Sequence, residues 1–241
     1  MTITLTHTSI MMKKYIITAM SAISLTTSGT FAQTTAEQQK AMTPDAVLTD
    51  LLEGNKRYVS GELKSTSADV AEARKVTSTG QYPKATILSC LDSRVPVELV
   101  FDQVIGDIFV GRVAGNIVNE DQIGSMEFAT KLAGSKLVMV LGHTNCGAVK
   151  GACDGAELGN LTALLKKIQP AVDAVKPNEK GDHNSSNKKF VNNVVEKNVA
   201  LTVAEIRKQS PVLVEMEKAG TIKIVGGVYD LESGKVTMME E

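Results

Sequence analysis

Residues 84–94 read KATILSCLDSR, an apolar run followed directly by polar and charged residues. Its first part, Lys84–Leu91, is a short run of apolar and β-branched residues, which predicts a buried strand. Cys90, Asp92 and Arg94 come where that strand should end. In open α/β sheets, binding sites form beyond the carboxyl ends of the strands. The stretch therefore predicts a central strand with a functional site at its end.

A second motif, GHTNCG at residues 142–147, follows another short apolar run, Lys136–Leu141. Its histidine and cysteine, together with the cysteine and aspartate of the first motif, are donors that suit a tetrahedral zinc ion. Alternation along a strand places Cys90 and Asp92 on one side, with Leu91 on the other. We therefore predict one shared metal site with four candidate ligands: Cys90, Asp92, His143 and Cys146.

The rest of the chain alternates short apolar runs with helical patterns. Two further runs predict strands at Ile108–Val110 and Ile222–Tyr229. Apolar residues at helical spacing predict helices that start near Thr43 and over Glu120–Leu132, Cys146–Ala152, Leu158–Val175 and Val191–Gln209. This alternation is typical of an α/β fold with a mostly parallel central sheet flanked by helices.

Composition limits the function classes. The chain has 241 residues, 43% of them hydrophobic, and a formal net charge of -1. It is long enough for one ordinary domain and a processed N-terminus, and this charge gives no electrostatic basis for binding nucleic acid. The three cysteines are too few for a disulfide framework, and no C-x-x-C pair supports a redox role.

The N-terminus has the pattern of a signal peptide. Two lysines, Lys13 and Lys14, precede a mostly apolar run at 15–25, and Thr30 and Ala32 suit the residues before a cleavage site. The run is shorter than the roughly 20 residues that span a bilayer. A buried or membrane-lying N-terminal helix is the alternative interpretation.

We therefore expect residues 1–32 to be the signal peptide and residues 33–241 the mature domain. Initiation at Met11 or Met12 would also fit, because the lysine pair follows directly. Export to a bacterial periplasm, with no membrane anchor after cleavage, is the expected location. A transit route to an organelle would have a similar pattern.

The chain resembles the β-class carbonic anhydrases over most of the mature sequence. The resemblance runs through four segments: residues 81–84 (QYPK), 90–96 (CLDSRVP), 106–116 (GDIFVGRVAGN) and 142–147 (GHTNCG). The paired motifs C-x-D-x-R and H-x-x-C are specific when both occur at this separation. The resemblance implies a homodimer or homotetramer assembled through an N-terminal helical arm, which Thr43–Tyr58 would supply.

The resemblance also implies a metal and a reaction. Each subunit would bind one Zn²⁺ through Cys90, His143 and Cys146, with Asp92 as a fourth ligand. The protein would then be a carbonate dehydratase that hydrates carbon dioxide reversibly to bicarbonate and a proton by way of a zinc-bound hydroxide. A bound zinc lowers the pKa of water from 15.7 to about 7.

Four residues receive catalytic or substrate-binding roles from the same resemblance. Asp92 would accept a hydrogen bond from the hydroxide when it pairs with Arg94, whose planar fork fits a carboxylate. The amide of Gln81 and the backbone N–H near Gly147 would contact the substrate. Carbon dioxide and bicarbonate are therefore the expected small-molecule partners.

One departure bears on the state of the site. The bicarbonate-inhibited branch of the family has a tryptophan where this chain has Ile87, and the chain contains no tryptophan. Arg112 occurs in both branches, whereas Gln81 points to the plant-like branch. We therefore predict an open site in which Asp92 is turned away from the metal position.

Two alternatives share the same residues. A zinc-storage protein would hold Asp92 permanently on the metal, although it would need neither Arg94 nor Gln81. A relative that hydrolyses carbon disulfide or carbonyl sulfide would have the same fold and ligands. Cys153 remains outside the predicted ligand set, and we interpret it as a buried packing residue.

Overall fold

The computed structural model describes residues 33–240, so the predicted signal peptide at 1–32 lies outside the described residues. The centre of the fold is a five-stranded sheet with the order β2-β1-β3-β4-β5. The strands are β1 (Ala85–Ser89), β2 (Ile108–Arg112), β3 (Leu137–His143), β4 (Lys223–Tyr229) and β5 (Val236–Met238). The first four are parallel, and β5 runs antiparallel to β4 at one edge. The predicted α/β fold with a mostly parallel sheet is confirmed.

Helices surround this sheet. In chain order they are α1 (Ala36–Ala41), α2 (Pro44–Ser60), α3 (Ser67–Val76), α4 (Val97–Val100), α5 (Glu120–Glu127), α6 (Gly147–Cys153), α7 (Gly159–Val175), α8 (Lys188–Gln209) and α9 (Pro211–Lys218). A π-helical turn, Phe128–Leu132, continues α5. The predicted helix Glu120–Leu132 is therefore helical throughout but changes its hydrogen-bond pattern at Phe128.

The sheet is covered on both faces because its central strands are apolar on both sides. All five residues of β1 and all seven of β3 are buried. In β3, Met139 packs with the cluster that includes Leu51 of α2, whereas Val138 and Val140 pack with the cluster that includes Val199 of α8. This two-sided burial is typical of parallel strands and explains their continuous apolar runs.

The segment Thr43–Tyr58, predicted as an N-terminal arm, forms helix α2, and its role in assembly stays a prediction. Thr43 caps it by accepting a hydrogen bond from the backbone N–H of Ala46 at 3.2 Å, Pro44 is its first residue, and Gly61 ends it in the left-handed region at φ 74°. Leu51, which is fully buried, anchors the helix on the sheet of the same chain. Among the described residues, no helix is both long and apolar enough to cross a membrane.

Candidate metal centre

Three potential metal ligands meet at the carboxyl end of the sheet. Cys90 follows β1, His143 is the last residue of β3, and Cys146 caps α6. Their ligand atoms all lie within 4.8 Å of one another, and the sulfurs of the two cysteines are 3.9 Å apart. All three residues are buried, and His143 is completely so. The structure therefore brings together three of the four candidate ligands that the motifs predicted.

The ring of His143 has one partnered and one unpartnered nitrogen. Its Nδ1 lies 3.0 Å from the carbonyl oxygen of Thr144, which can only accept, so Nδ1 carries the proton. Its Nε2 is buried and has no hydrogen-bond partner among the described residues. A buried nitrogen without a partner is costly unless it binds something. In a neutral ring this Nε2 has the lone pair that a metal requires.

Asp92 is held by Arg94 beside the cluster. Arg94 Nε donates to Asp92 Oδ1 at 2.9 Å, and the guanidinium Nη2 donates to Oδ2 at 2.7 Å. The backbone N–H of Arg94 donates a third bond to Oδ1 at 2.9 Å. Asp92 Oδ2 lies 3.7 Å from His143 Nε2, which is too long for a hydrogen bond. The carboxylate is thus adjacent to the three ligands while both of its oxygens are bound by arginine.

The same contacts settle the charge of Asp92. The side-chain hydrogen bonds from Arg94 outweigh the opposing effect of burial and keep the pKa of this carboxyl well below its ordinary value. Asp92 is therefore an ionised acceptor throughout the neutral pH range.

The two cysteines are coupled. Their sulfurs share one hydrogen bond, and this contact lowers the pKa of Cys90 and raises the pKa of Cys146. The backbone N–H of Gly115 also donates to Cys90 Sγ at 3.3 Å. Gly115 adopts φ 70°, and a Cβ there would lie 2.5 Å from the Cδ1 of Ile168, so only glycine brings this N–H to the sulfur without strain.

Arg112 fastens the loop that carries Cys90 and Asp92. From the end of β2, its Nε donates to the carbonyl oxygen of Cys90 at 2.9 Å, and its Nη2 donates to the carbonyl oxygen of Asp92. The ligand loop after β1 is therefore bound to the neighbouring strand through its backbone.

The predicted substrate-binding residues have different positions. Gly147 is the first residue of α6, where backbone N–H groups have no partner within the helix. Gln81 is exposed and precedes β1, at the amino end of the sheet. The five residues of β1 extend roughly 17 Å at about 3.3 Å each, so Gln81 is far from Cys90 in the same chain. The fold does not bring Gln81 to the cluster.

Sequence patterns did not predict the hydrogen bond that holds Thr144, the residue whose carbonyl oxygen contacts His143 Nδ1. Thr144 Oγ1 donates to Asp230 Oδ2 at 3.2 Å, and Asp230 lies 86 residues further along the chain. Asp230 and Ser233 form a recognisable turn pattern, but nothing in that pattern identifies Thr144 as a partner.

Cys153 has the position that the sequence predicted. It is buried in the apolar cluster that contains Cys90 and Cys146, and it is not one of the three grouped ligands. Burial raises the pKa of its thiol to about 11.

Comparison with known proteins gives a consistent result. The sequence profile of the family described as carbonic anhydrase matches residues 85–236. "Carbonic anhydrase 2" of Mycobacterium tuberculosis is 34% identical over 197 residues, which cover 82% of this chain and 93% of that protein.

Two solved structures share the fold. The β-carbonic anhydrase CafA of Aspergillus fumigatus superposes with a TM-score of 0.64 at 25% identity, covering 80% of this chain and 91% of that one. One of two tetrameric β-carbonic anhydrases from Sordaria macrospora gives a TM-score of 0.63 at 20% identity, covering 81% of this chain and 98% of that one. With its paired ligand motifs at the carboxyl end of a parallel sheet, the chain belongs to the β-class carbonic anhydrase family.

Proposed function

We propose that this protein binds one zinc ion per subunit and hydrates carbon dioxide reversibly to bicarbonate and a proton. The observation that carries the proposal is the buried group of Cys90, His143 and Cys146 with an ionised Asp92 beside it. Membership of the carbonic anhydrase family makes the protein an enzyme, a carbonate dehydratase.

The residues fit zinc. Two thiolates and one imidazole are donors that zinc prefers, and His143 Nε2 is otherwise unpartnered. Two sulfurs bound to one tetrahedral zinc at about 2.3 Å each would lie about 3.8 Å apart. The observed separation of Cys90 Sγ and Cys146 Sγ is 3.9 Å. When bound, zinc acts as a Lewis acid that lowers the pKa of water and so supplies a nucleophile near neutral pH.

Asp92 and Arg94 orient the nucleophile. Arg94 binds both carboxylate oxygens, and this favours a carboxylate that is a hydrogen-bond acceptor and not a fourth ligand. The ionised Asp92 accepts a hydrogen bond from the O–H of the nucleophile, which turns the nucleophile's lone pair towards the carbon of the substrate. The backbone N–H of Gly147, at the first residue of α6, would stabilise negative charge that develops on a substrate oxygen.

A stopped-flow assay of carbon dioxide hydration tests this proposal. The zinc-loaded wild type should accelerate hydration, and removal of zinc should abolish the activity. Asp92→Ala should lower kcat/KM by about 10²-fold or more, because a positioned acid–base group contributes that much. Asp45→Ala is the matched control, because Asp45 also pairs with a basic residue, Lys223, but lies in the first turn of α2.

The possible results separate the alternatives. Zinc binding without hydration above background would contradict the proposal and indicate a storage role. Hydrolysis of carbon disulfide or carbonyl sulfide in place of hydration would identify the other enzyme class.

We propose further that the active form is a homodimer or homotetramer. Among the described strands, β2 pairs only with β1, so its other edge is open. The ring of Phe128 packs against that of Phe109 in β2, with ring centroids 6.3 Å apart, and Phe128 is 54% exposed. Leu132, in the same π-helical turn, is 76% exposed. Exposed apolar groups beside an open strand edge are typical of an interface. The tetrameric relatives from Sordaria macrospora support assembly in this family.

Assembly would also explain the position of Gln81. When two copies pair antiparallel through β2, the amino end of one sheet lies beside the carboxyl end of the other. The Gln81 amide of one copy would then contact substrate in the site of its neighbour.

We propose export, with cleavage between Ala32 and Gln33. The support is the signal-peptide pattern, together with side-chain hydrogen bonds from Gln33 and Thr34 to the buried Asp107 at 3.0 and 3.4 Å. The residues directly after the expected cleavage site therefore make hydrogen bonds within the described fold. Mass spectrometry of the protein from a periplasmic fraction tests this: a chain that starts at Gln33 is expected, and an uncleaved chain would contradict it.

A further inference from the structure

Thr144 is fixed in place by the chain that follows β4. Its Oγ1 donates to Asp230 Oδ2 at 3.2 Å and accepts from the backbone N–H of Leu231 at 3.0 Å. Its own backbone N–H donates to the carbonyl oxygen of Tyr229 at 2.9 Å. Both the side chain and the backbone of Thr144 are therefore attached to one short segment, 229–231.

Asp230 is itself held in a single orientation. Its Oδ1 accepts from the backbone N–H of Ser233 at 2.8 Å and from the Ser233 hydroxyl at 2.7 Å. These bonds leave Oδ2 for Thr144. They also keep the pKa of Asp230 below its ordinary value, so the group is an ionised acceptor at neutral pH.

The carbonyl oxygen of Thr144 is the atom that bonds His143 Nδ1, at 3.0 Å. This bond places the ring proton on Nδ1 and leaves the lone pair on the buried Nε2. A change in the position of Thr144 would therefore change both the tilt of the ring and the preference for this tautomer.

We propose that Asp230 and the Thr144 hydroxyl are positioning residues that hold the Thr144 carbonyl against His143 and so orient this ligand. The inference rests on the zinc site of the proposed function. It extends that site to the turn between β4 and β5, which contains none of the three grouped ligands. Outer groups that orient a ligating histidine typically change metal affinity by about 10- to 100-fold when they are removed.

Zinc affinity of the metal-free full chain, measured by competition with a chromogenic chelator, tests the proposal. Thr144→Val, which removes the hydroxyl but keeps the shape, and Asp230→Ala should each weaken zinc binding by about 10- to 100-fold. Thr144→Ser keeps the hydroxyl and should restore wild-type affinity. The double variant should lose no more zinc affinity than the single variant with the larger loss, because both residues act through the same carbonyl.

A second measurement detects the tautomer directly. Nitrogen NMR of the metal-free protein with labelled histidine should show His143 protonated on Nδ1 in the wild type and in Thr144→Ser. Thr144→Val and Asp230→Ala should show a population protonated on Nε2. A residue that only stabilises the fold would not shift this signal.

Asp69→Ala is the matched control. Asp69 Oδ2 accepts from the hydroxyl of Thr66 at 2.6 Å, which is the same kind of contact, but it caps α3. The zinc affinity of the Asp69→Ala variant should equal that of the wild type. An equal loss of affinity in this control would mean that lower stability causes the effect, and the inference would then be wrong.

The remaining outcomes are equally informative. Circular dichroism identifies any unfolded variant. If Asp230→Ala is unfolded, Asp230→Asn replaces it, because asparagine removes the charge but keeps the size. Asp230→Asn should lose zinc affinity by about 10-fold, the lower end of the expected range. Wild-type affinity and an unchanged tautomer in all folded variants would overturn the inference and leave the proposed function intact. Absence of zinc binding by the wild type would overturn the proposed function instead.

Discussion

At the scale of single residues, the buried thiols of Cys90 and Cys146 define the chemistry of the site. Their sulfurs lie 3.9 Å apart, whereas sulfurs in a disulfide are about 2.05 Å apart. A short movement would therefore join them when no metal intervenes. In an oxidising compartment this competes with zinc binding.

We predict that metal-free protein treated with oxidised glutathione forms an intramolecular Cys90–Cys146 disulfide. The two thiols lose two protons and two electrons, and glutathione disulfide is reduced to two thiols. Zinc-loaded protein should not form this disulfide, because thiolates that are bound to zinc are not available for exchange. Peptide mass mapping without reduction identifies the bond.

Cys153 provides the control for this reaction. Burial raises the pKa of its thiol to about 11, so it should react slowly. Cys153→Ser should form the disulfide as the wild type does, and Cys90→Ser should not. A bond between Cys153 and either ligand, or equal oxidation of the zinc-loaded protein, would contradict the prediction.

Local motifs predicted the cluster of Cys90, His143 and Cys146, because each residue lies at or shortly after the end of a strand that its own sequence specifies. Cys90 and His143 come at the ends of apolar runs, and parallel strands bring those ends together. The Thr144–Asp230 contact had no such signal, because it joins two turns 86 residues apart. The role of Gln81 stays a prediction, since one chain alone does not bring it to the site.

At the scale of elements, apolar periodicity predicted the long helices and the buried strands but missed the short or polar ones. Among the residues of helix α3 whose side chains the structure describes, the one buried hydrophobic residue is Ala73, which is too little to form a recognisable apolar stripe. Strand β5 has three residues, too few for a pattern, and forms because β4 offers an edge. Tertiary contacts decide such elements.

Asp102 makes hydrogen bonds to several segments, so a substitution there tests how these segments are held together. It is fully buried and accepts hydrogen bonds from Arg57 Nε of α2 at 2.6 Å, from Lys64 N at 3.1 Å, and from Ser65. Burial opposes its ionisation, but these hydrogen bonds outweigh burial and lower its pKa. Asp102 therefore fastens the end of α2 and the following loop to the segment after α4.

We predict that Asp102→Asn lowers the free energy of unfolding by about 3 kcal/mol at neutral pH, because it leaves the Arg57 charge without its partner. The folded-state pKa lies below the ordinary value of about 3.9. The stabilisation is therefore complete above that value and is lost as the pH falls through the folded-state pKa. Urea unfolding across this range should show the difference between variant and wild type narrowing in acid.

The matched control is Asp45→Asn, which removes an exposed ion pair with Lys223. Exposed pairs contribute about 0–1 kcal/mol, so little change is expected. A pH-independent difference for Asp102→Asn would show that packing, and not charge, stabilises this junction.

At the scale of the whole molecule, the open edge of β2 predicts the assembly. Leu132→Glu should dissociate the oligomer, because it places a charge in the exposed apolar turn that carries Phe128, whose ring packs on β2. Leu158→Glu is the matched control: this leucine is 71% exposed, against 76% for Leu132, but it lies at the start of α7. Light scattering after size-exclusion chromatography measures both masses. A monomeric wild type, or equal dissociation by both variants, would refute the proposed interface.

Mixing two variants that should each have reduced activity tests whether copies share Gln81. Asp92→Ala chains keep Gln81, and Gln81→Ala chains keep Asp92. A mixed dimer would have one complete site if Gln81 acts across the interface, so activity should return on mixing. No recovery, although mass spectrometry shows mixed dimers, would mean that Gln81 does not act on a neighbouring site.

Arg112 connects assembly to the metal. It is the last residue of the edge strand β2, and it bonds the carbonyl oxygens of Cys90 and Asp92. Any interface that orders β2 therefore also orders the ligand loop, and thermodynamic linkage makes the effect reciprocal. Zinc occupancy should then depend on protein concentration: dilution would release metal, and added zinc would restore the oligomer. For an enzyme that assembles through β2, its own concentration in the cell would then determine how much of it holds zinc and is active.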